Sequence, residues 1–396
     1  MWAAVVASFL LVGLTACDLL FGGNNGKSGN SGTSNNTDVD NAIKGNITTK
    51  ITWDGKDAEN NPITYFINSS IYIKDGGNLT ITDGAIVKFG PNGVIYVSTT
   101  GAITATGTKF TSYRDPEGRA ISIAPDSEPA AGDWKQIAVQ GGTGKFTSCK
   151  FYYGGKDEIS TLVASKTGGK IRVDKCEFRY NDGTHATNFS VRAALRYTDE
   201  VTYDADTNCV TNSVFESNVW PLSVPAFFSL DSSNTFGTDT ATKNEYNYVH
   251  INSYPVKANN VIWDKQNVPY LFVGGNSLEI YKGGKLTING SDDKDDPTVV
   301  CFATKGLTID TGGELDVNEY VTFTNSPESS GTKYNGLYCS KDYKFEDAPK
   351  TVSKVLLIPN GKIKIEEYQP GTSTDWTVSN RQEPIGTKNI GGEKNY

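Results

Sequence analysis

Polar and apolar positions alternate in short runs along this chain, and glycine introduces the runs. In Gly77-Asn78-Leu79-Thr80-Ile81 the glycine is followed by two apolar residues spaced two apart. The phrase returns as Gly101-Ala102-Ile103-Thr104-Ala105, Gly169-Lys170-Ile171-Arg172-Val173, Gly284-Lys285-Leu286-Thr287-Ile288, Gly313-Glu314-Leu315-Asp316-Val317 and Gly361-Lys362-Ile363-Lys364-Ile365. A period of two is that of a strand with one buried face, and the glycine marks the turn that delivers it. Copies a few tens of residues apart predict stacked coils rather than one globular sheet. Asp75-Gly76-Gly77, Asp83-Gly84, Pro91-Asn92-Gly93 and Thr100-Gly101 supply the turns. Between them Val87 and Phe89 point one way and Lys88 the other. An all-β solenoid in a single elongated domain follows.

A longer period encloses the short one. Trp53-Asp54, then Pro62 and the run Ile71 to Ile81, match Trp263-Asp264, Pro269 and the run Leu278 to Ile288. From each proline onward the two stretches align without a gap, which predicts an internal duplication. A second ladder is spelled by Cys149 with Phe151, Cys176 with Phe178, and Ser213 with Phe215, each pair two apart and so on one face. Stacked coils would lay Cys149 over Cys176 at about 4.8 Å. That spacing leaves two readings, a disulfide or two buried free thiols. No Cys-x-x-Cys occurs, which disfavours zinc. Ser112 to Asp133 lacks alternation apart from Ile121 to Ile123 and reads as a loop leaving the coil. Trp220 to Phe228 reads as a coil edge or loop packed on the body.

Composition narrows function by exclusion. The net charge of −8 with no basic patch argues against nucleic acid, whose affinity rests on phosphate neutralisation. Serine chemistry needs a histidine base, and the two histidines, His185 and His250, lie in a turn and in an alternating strand. Asp204, Asp206 and Arg196, with Asp199, Glu200 and Arg192 nearby, are the candidate catalytic cluster, set against the plainer reading of a charged loop. Asp204 and Asp206 begin a calcium-like loop that lacks its glycine and its distant glutamate. Asp292 and Asp295 are the other calcium candidates. No other cofactor is expected. Tyr152, Tyr153, Tyr180 and Tyr197 are either sugar-stacking aromatics or packed ladder ends.

Two resemblances add to this. Gly-Gly-x-Leu-Thr-Ile, then Phe-Thr-Ser, then a loop closed by Gly132-Asp133-Trp134, resemble right-handed parallel β-helix proteins of the bacterial cell surface, over about residues 48–365. The resemblance implies the fold but no one activity, since the fold carries lyases, hydrolases and adhesins alike. The apolar run Trp2 to Ala16, ending Leu14-Thr15-Ala16-Cys17, resembles a bacterial lipoprotein signal without its charged start. It implies lipidation of Cys17 and a cell-envelope address, at the outer membrane or cell surface. The spacer to about residue 45 would hold the body a mean of about 25–30 Å from the bilayer.

The expected organisation is a signal peptide over 1–16, a lipidated tether over 17–45, β-helix halves over 46–257 and 258–365, and a cap and tail over 366–396, with Trp376 and Val378 covering the open end. The leading functional expectation is a lipid-anchored, non-enzymatic surface protein with an adhesion, scaffold or glycan-binding role. Its partners would be the membrane through its lipid, with a polysaccharide or a host or cell-surface protein. The alternative is a polysaccharide lyase or glycoside hydrolase working in a groove of the helix.

Overall fold

The computed structural model describes residues 42–183 and 191–302, apart from 254, 259, 273–277, 292, 294 and 295. Beyond 302 it describes 307–309, 313–317, 321–325, 337–340, 355–358, 362–364 and 382–384. Residues 1–41, with Cys17 and the expected signal and tether, lie outside this set. So do His185, Asp292, Asp295, Trp376 and Val378.

The chain is a parallel β-helix whose coils run over three faces. The first face stacks Lys50–Trp53, Asn78–Ile81, Ala102–Thr106, Thr143–Thr147, Lys170–Asp174 and Cys209–Thr211. The second stacks the start of Thr64–Ile73 with Ile86–Phe89, Lys109–Ser112, Lys150–Tyr152, Glu177–Arg179, Val214–Glu216 and Thr235–Phe236. The third begins with Ile43–Ile47 and the end of Thr64–Ile73. It continues through Val94–Ser98, Gln136–Gln140, Leu162–Ser165, Leu195–Tyr197, Leu222–Pro225 and Val249–Ser253 to Tyr270–Phe272. All these ladders are parallel, and the alternation read from the sequence is the inside-and-outside alternation of each strand.

Large rings on the inward stripe fill the thin core. Phe110, Phe151, Phe178, Phe215 and Phe236 lie one per rung, with successive centroids 5.0, 4.7, 4.9 and 5.2 Å apart and interplanar angles of 17° or less. Offset stacking of this kind contributes about 0.5–1.5 kcal/mol per pair beyond simple burial. Beside it Cys149 and Cys176 stack as free thiols, so the disulfide left open by the spacing is not formed. In-register side chains point the same way. The Cys149 Sγ–H faces the carbonyls of Ala105 and Thr147, each at 3.4 Å, and Cys176 Sγ accepts the Cys149 amide at 3.4 Å.

The two stretches aligned by the longer repeat build the same corner. Trp53 stacks on Tyr65 at 4.8 Å and 14°, and the Tyr65 hydroxyl donates to the Asp54 carbonyl at 2.9 Å. Trp263 stacks on Tyr270 at 5.0 Å and 14°, and the Tyr270 hydroxyl donates to the Asp264 carbonyl at 2.5 Å. The neighbourhoods differ, however. Tyr270–Phe272 continues the third face, whereas Thr64–Ile67 lies on the second. The second face is closed after Thr235–Phe236 by a side chain acting as a strand. The Asn267 amide accepts the Phe236 N–H at 3.0 Å and donates to its carbonyl at 2.6 Å. A new parallel ladder, Pro255–Val256 through Leu278–Ile280 and Leu307–Ile309 to Leu337–Ser340, and a separate one, Val261–Trp263 through Lys285–Ile288 to Glu314–Val317, then accompany the third face.

Three further differences have local causes. Trp220 to Phe228 contains a third-face strand, Leu222–Pro225, because Leu222 and Val224 supply a two-residue inward period. Lys88 does point away from the core, yet it is buried, because the loop over 113–133 folds back across it. Its ammonium donates to the carbonyls of Asp115 and Arg119, both at 2.7 Å. The sixth glycine phrase does not stack as a parallel coil. Lys362–Lys364 pairs antiparallel with Val355–Ile358, as the Asn360-Gly361 hairpin signal between them favours. Within the region expected to cap, Gln382–Pro384 pairs antiparallel with Leu337–Ser340.

Candidate functional site

The corner between the second and third faces turns through a left-handed residue in three successive rungs. These are Tyr153, Tyr180 and Ser217, with φ of 64°, 56° and 56°. Register places them one above another, since Phe151 pairs with Phe178 and Phe178 with Phe215. The next residue in each rung is Gly154, Asn181 or Asn218, and the asparagines form a buried ladder. Asn218 Oδ1 accepts the Asn181 amide at 3.1 Å and its Nδ2 at 2.8 Å, while Asn218 Nδ2 donates to the Phe178 carbonyl at 3.0 Å. Asn244 repeats the pattern on Asn218, at 3.0 Å to both its amide and its Nδ2. The ladder satisfies the backbone groups that the bend exposes. Sequence reasoning missed it, although Phe-x-x-Asn recurs at 178–181 and 215–218.

On this rigid corner the tyrosines collect. The rings of Tyr153 and Tyr180 stack at 5.4 Å and 9°, and Tyr152 stands edge-on to both, at 6.1 and 6.5 Å. Tyr180 is 41% exposed. A bulky residue in the left-handed region costs about 1–2 kcal/mol. The matching corner between the first and second faces uses Gly107, Ser148, Lys175 and Asn212 in that conformation, none of them aromatic. Of the twelve non-glycine residues with positive φ among the described residues, Tyr153 and Tyr180 are the two aromatic ones.

Charged side chains frame the rings. Lys109 Nζ sits 5.3 Å from the Tyr152 ring centre and bridges Asp115 at 2.7 Å and Glu117 at 2.6 Å. Burial opposes its charge, but those carboxylates outweigh burial and raise its pKa. Arg179 is held between Glu177 and Glu216, the latter at 2.9 Å. Burial raises the Tyr152 and Tyr153 hydroxyls, helped by a Tyr152 hydrogen bond to Glu177 and by the Asp115 charge beside Tyr153. Both phenols therefore stay protonated and serve as donors. The loop over 113–133 carries Asp115 and Glu117 and forms one wall. It is fixed by buried Lys88, by Ser112 donating to Asp133 at 2.5 Å, and by Arg114 against Asp133 at 3.3 Å. Trp134, which ends the loop, stacks on Phe89 at 4.3 Å and donates from Nε1 to the Tyr152 carbonyl at 2.7 Å.

The structure disperses the other candidates. Tyr197 is not a surface aromatic. It is wholly buried, and its hydroxyl donates to the carbonyls of Ile171 and Cys209 at 3.0 and 2.8 Å. Asp204 spends its carboxylate on its own loop, accepting the amides of Asp206 and Thr207 at 3.0 and 2.9 Å, which lowers its pKa. The Asp206 carbonyl accepts from Arg172 at 3.0 Å. Arg196 sits on the third face in register with Val163 and Ser223. Glu200 accepts the Lys166 amide at 2.8 Å. The Asp204 and Glu200 carboxylates are thus engaged by backbone amides. Among the described residues no group of three His, Cys, Asp or Glu side chains is placed to hold a metal ion.

His250 pairs through Nδ1 with the Ser223 hydroxyl at 2.9 Å, which also accepts from Asn252 at 2.9 Å. Both residues are buried, and Trp220 packs edge-on against the imidazole at 5.7 Å. Burial draws the His250 pKa down to about 3. A serine and histidine enclosed in this way meet no substrate, so the contact is part of the packing.

The chain matches no protein-family model, no curated protein and no solved structure.

Proposed function

We propose that this chain is a lipid-anchored, non-enzymatic β-helix protein of the cell envelope that binds glycan through the Tyr152, Tyr153 and Tyr180 platform. The observation that carries the reading is the stacked Tyr153 and Tyr180 pair, strained in the backbone and partly open to solvent. Sugar rings present apolar C–H faces, and aromatic rings are the protein surfaces that match them. Hydroxyls around the sugar rim are matched by bidentate and acidic side chains such as Arg179, Glu177 and Glu117. The platform stands on stacked rungs and needs no induced order, which limits the entropy cost of binding. The apolar run ending at Cys17 supports the envelope address, and the polar spacer after it supports a tethered rod.

The enzymatic alternative needs two groups poised over one bond. Asp204 is committed to its own loop and His250 is enclosed, which favours binding over cleavage. The test is retention of the protein on immobilised polysaccharides, with Tyr153→Ala and Tyr180→Ala alongside. Retention that both substitutions weaken supports the reading. Retention unchanged in both removes the platform from it.

A further inference from the structure

The first face is charged opposite to the chain that builds it. Its outward positions from Lys50–Trp53 to Lys170–Asp174 hold the cations Lys50, Lys145, Lys170 and Arg172 and a single acid, Asp174. The other outward positions there are Thr, Asn and Ala. Register gathers three of the cations. Lys145 pairs with Arg172 on the next rung, about 4.8 Å away. Lys170 lies two residues from Arg172 on the same strand, about 6.5 Å along it. No run of the sequence discloses this cluster, because Lys145 and Lys170 come from successive coils. Elsewhere Lys74, Lys109, Lys135, Lys265 and Lys285 each meet a carboxylate. Among the described residues no carboxylate meets Lys50, Lys145 or Lys170. Asp174 is engaged with the following rung, where Thr211 and Asn212 donate to its Oδ1 at 3.0 and 2.9 Å. On that side the patch is bordered by the acidic loop of Asp204 and Asp206, whose Asp206 carbonyl accepts from Arg172 at 3.0 Å. The open side runs over Lys145 to the earlier coils, where its neighbour in register is Thr104.

We infer that the first face is a docking surface for an acidic polysaccharide, held by Lys145, Lys170 and Arg172 without a metal ion. Charge complementarity carries the inference. The chain as a whole carries −8, so a polyanion is repelled by most of the surface and directed to this face. Like charges directly opposite on neighbouring strands destabilise a sheet, and an acidic polymer laid across Lys145 and Arg172 relieves that repulsion. The rest of the face selects among polyanions. It presents no outward aromatic on which nucleic-acid bases could stack. It presents no large apolar side chain to enter a lipid surface. Its threonines offer hydroxyls that both donate to and accept from sugar hydroxyls. The inference is independent of the tyrosine platform, since in a three-faced coil the corner between the second and third faces lies opposite the first. Exposed charge contacts are individually weak and are screened by salt. This face therefore holds its polymer at low salt and releases it at physiological salt, where the platform acts alone. Many rods on one polymer would multiply the weak contact.

The test uses the full chain with a chelator at low salt, on immobilised polygalacturonate, dextran sulfate, neutral dextran and single-stranded DNA. Three variants accompany it. Lys145→Gln with Lys170→Gln removes the patch. Lys150→Gln with Lys243→Gln removes two exposed lysines of the second face and its corner. Tyr180→Ala removes the platform. The expected result is retention on polygalacturonate or dextran sulfate above that on neutral dextran and DNA, the preferred polymer showing whether carboxylate or sulfate is read. The patch variant should weaken it at least tenfold at an equal or higher melting temperature, because the repulsion is relieved. The other two variants should change it less than twofold. Raising salt from about 20 to about 200 mM should weaken it at least tenfold, as counterion release requires. A chemical readout needs no substitution. Acetic anhydride should label Lys145, Lys150 and Lys170 in the free protein, all of them exposed, and the bound polymer should protect Lys145 and Lys170 alone. Loss in Tyr180→Ala with full retention in the patch variant would move acidic polymers to the platform and overturn the inference. Equal loss in both lysine variants, equal protection of Lys150, tighter binding to DNA, or no retention on either acidic polymer would also overturn it and leave the platform untouched.

Discussion

Replacing Asn218 by alanine tests the corner that carries the tyrosines. Asn218 is 2% exposed, and its side chain serves two backbone groups of the preceding rung, the Asn181 N–H and the Phe178 carbonyl. The neighbouring side chains keep other partners. Asn181 Nδ2 retains the Phe151 carbonyl at 2.9 Å, and Asn244 Oδ1 retains the Asn218 amide at 3.0 Å. Alanine therefore orphans two buried backbone groups, at about 1–3 kcal/mol each, for a total of about 2–6 kcal/mol. Against a stability of about 5–15 kcal/mol for a typical folded protein, that is a large fraction. Urea unfolding followed by circular dichroism and by tryptophan fluorescence measures it, with both probes needed because a solenoid can unfold in segments. Asn218→Asp is the companion. It keeps the acceptor for Asn181 but loses the donor to Phe178, and should also be destabilised. A loss below about 1 kcal/mol in Asn218→Ala would refute the claim that the ladder holds the bend.

Other outcomes follow from the same geometry. His250 is neutral in the fold, with its pKa drawn by burial from the ordinary 6.5 to about 3, so the unfolded chain binds the extra proton between those values. Stability should thus fall as pH drops below 6.5, by about 3 kcal/mol at pH 4.5, and His250→Leu should flatten that slope without changing the curve above neutrality. Lys88→Met removes both ammonium contacts to the 113–133 loop and should speed tryptic cleavage after Arg119, read by mass spectrometry; an unchanged rate would mean the loop is held by other contacts. Cys149, Cys176, Cys209 and Cys301 are buried, and burial raises the Cys301 thiol to about 12. All four should resist thiol reagents in the native protein and react on unfolding, and fast native labelling of any of them would show that its rung opens.

The fold was legible because it is written one rung at a time. Alternation after each glycine locates strands such as Asn78–Ile81 and Lys285–Ile288, and Phe151, Phe178 and Phe215 at matching positions disclose the stack. What alternation cannot encode is what covers the outside of a strand. Lys88 sits at an outward position, as the alternation has it, but the loop over 113–133 buries it. Tyr197 reads as either a sugar-stacking aromatic or a packed ladder end, and its inward phase and two carbonyl partners place it in the core. The site was half legible. The tyrosines stand out in the sequence, but their left-handed backbone does not, because that conformation comes from a corner held by asparagines a full coil away. Asp204 and Asp206 drew attention as the start of a calcium-like loop and as members of a charged cluster, and side-chain hydrogen bonding to a tight turn is what removed Asp204 from chemistry.

The central claim is that this rod holds a glycan without cutting it. The most direct test incubates the protein with the polymer that best retains it and follows two readouts in one sample, the fraction bound and the release of reducing ends or unsaturated uronide. The account predicts sustained binding that Tyr180→Ala abolishes, with the polymer length unchanged throughout. Shortening of the polymer by the native protein would contradict it and make the tyrosine corner beside Lys109 and Glu177 a place of catalysis.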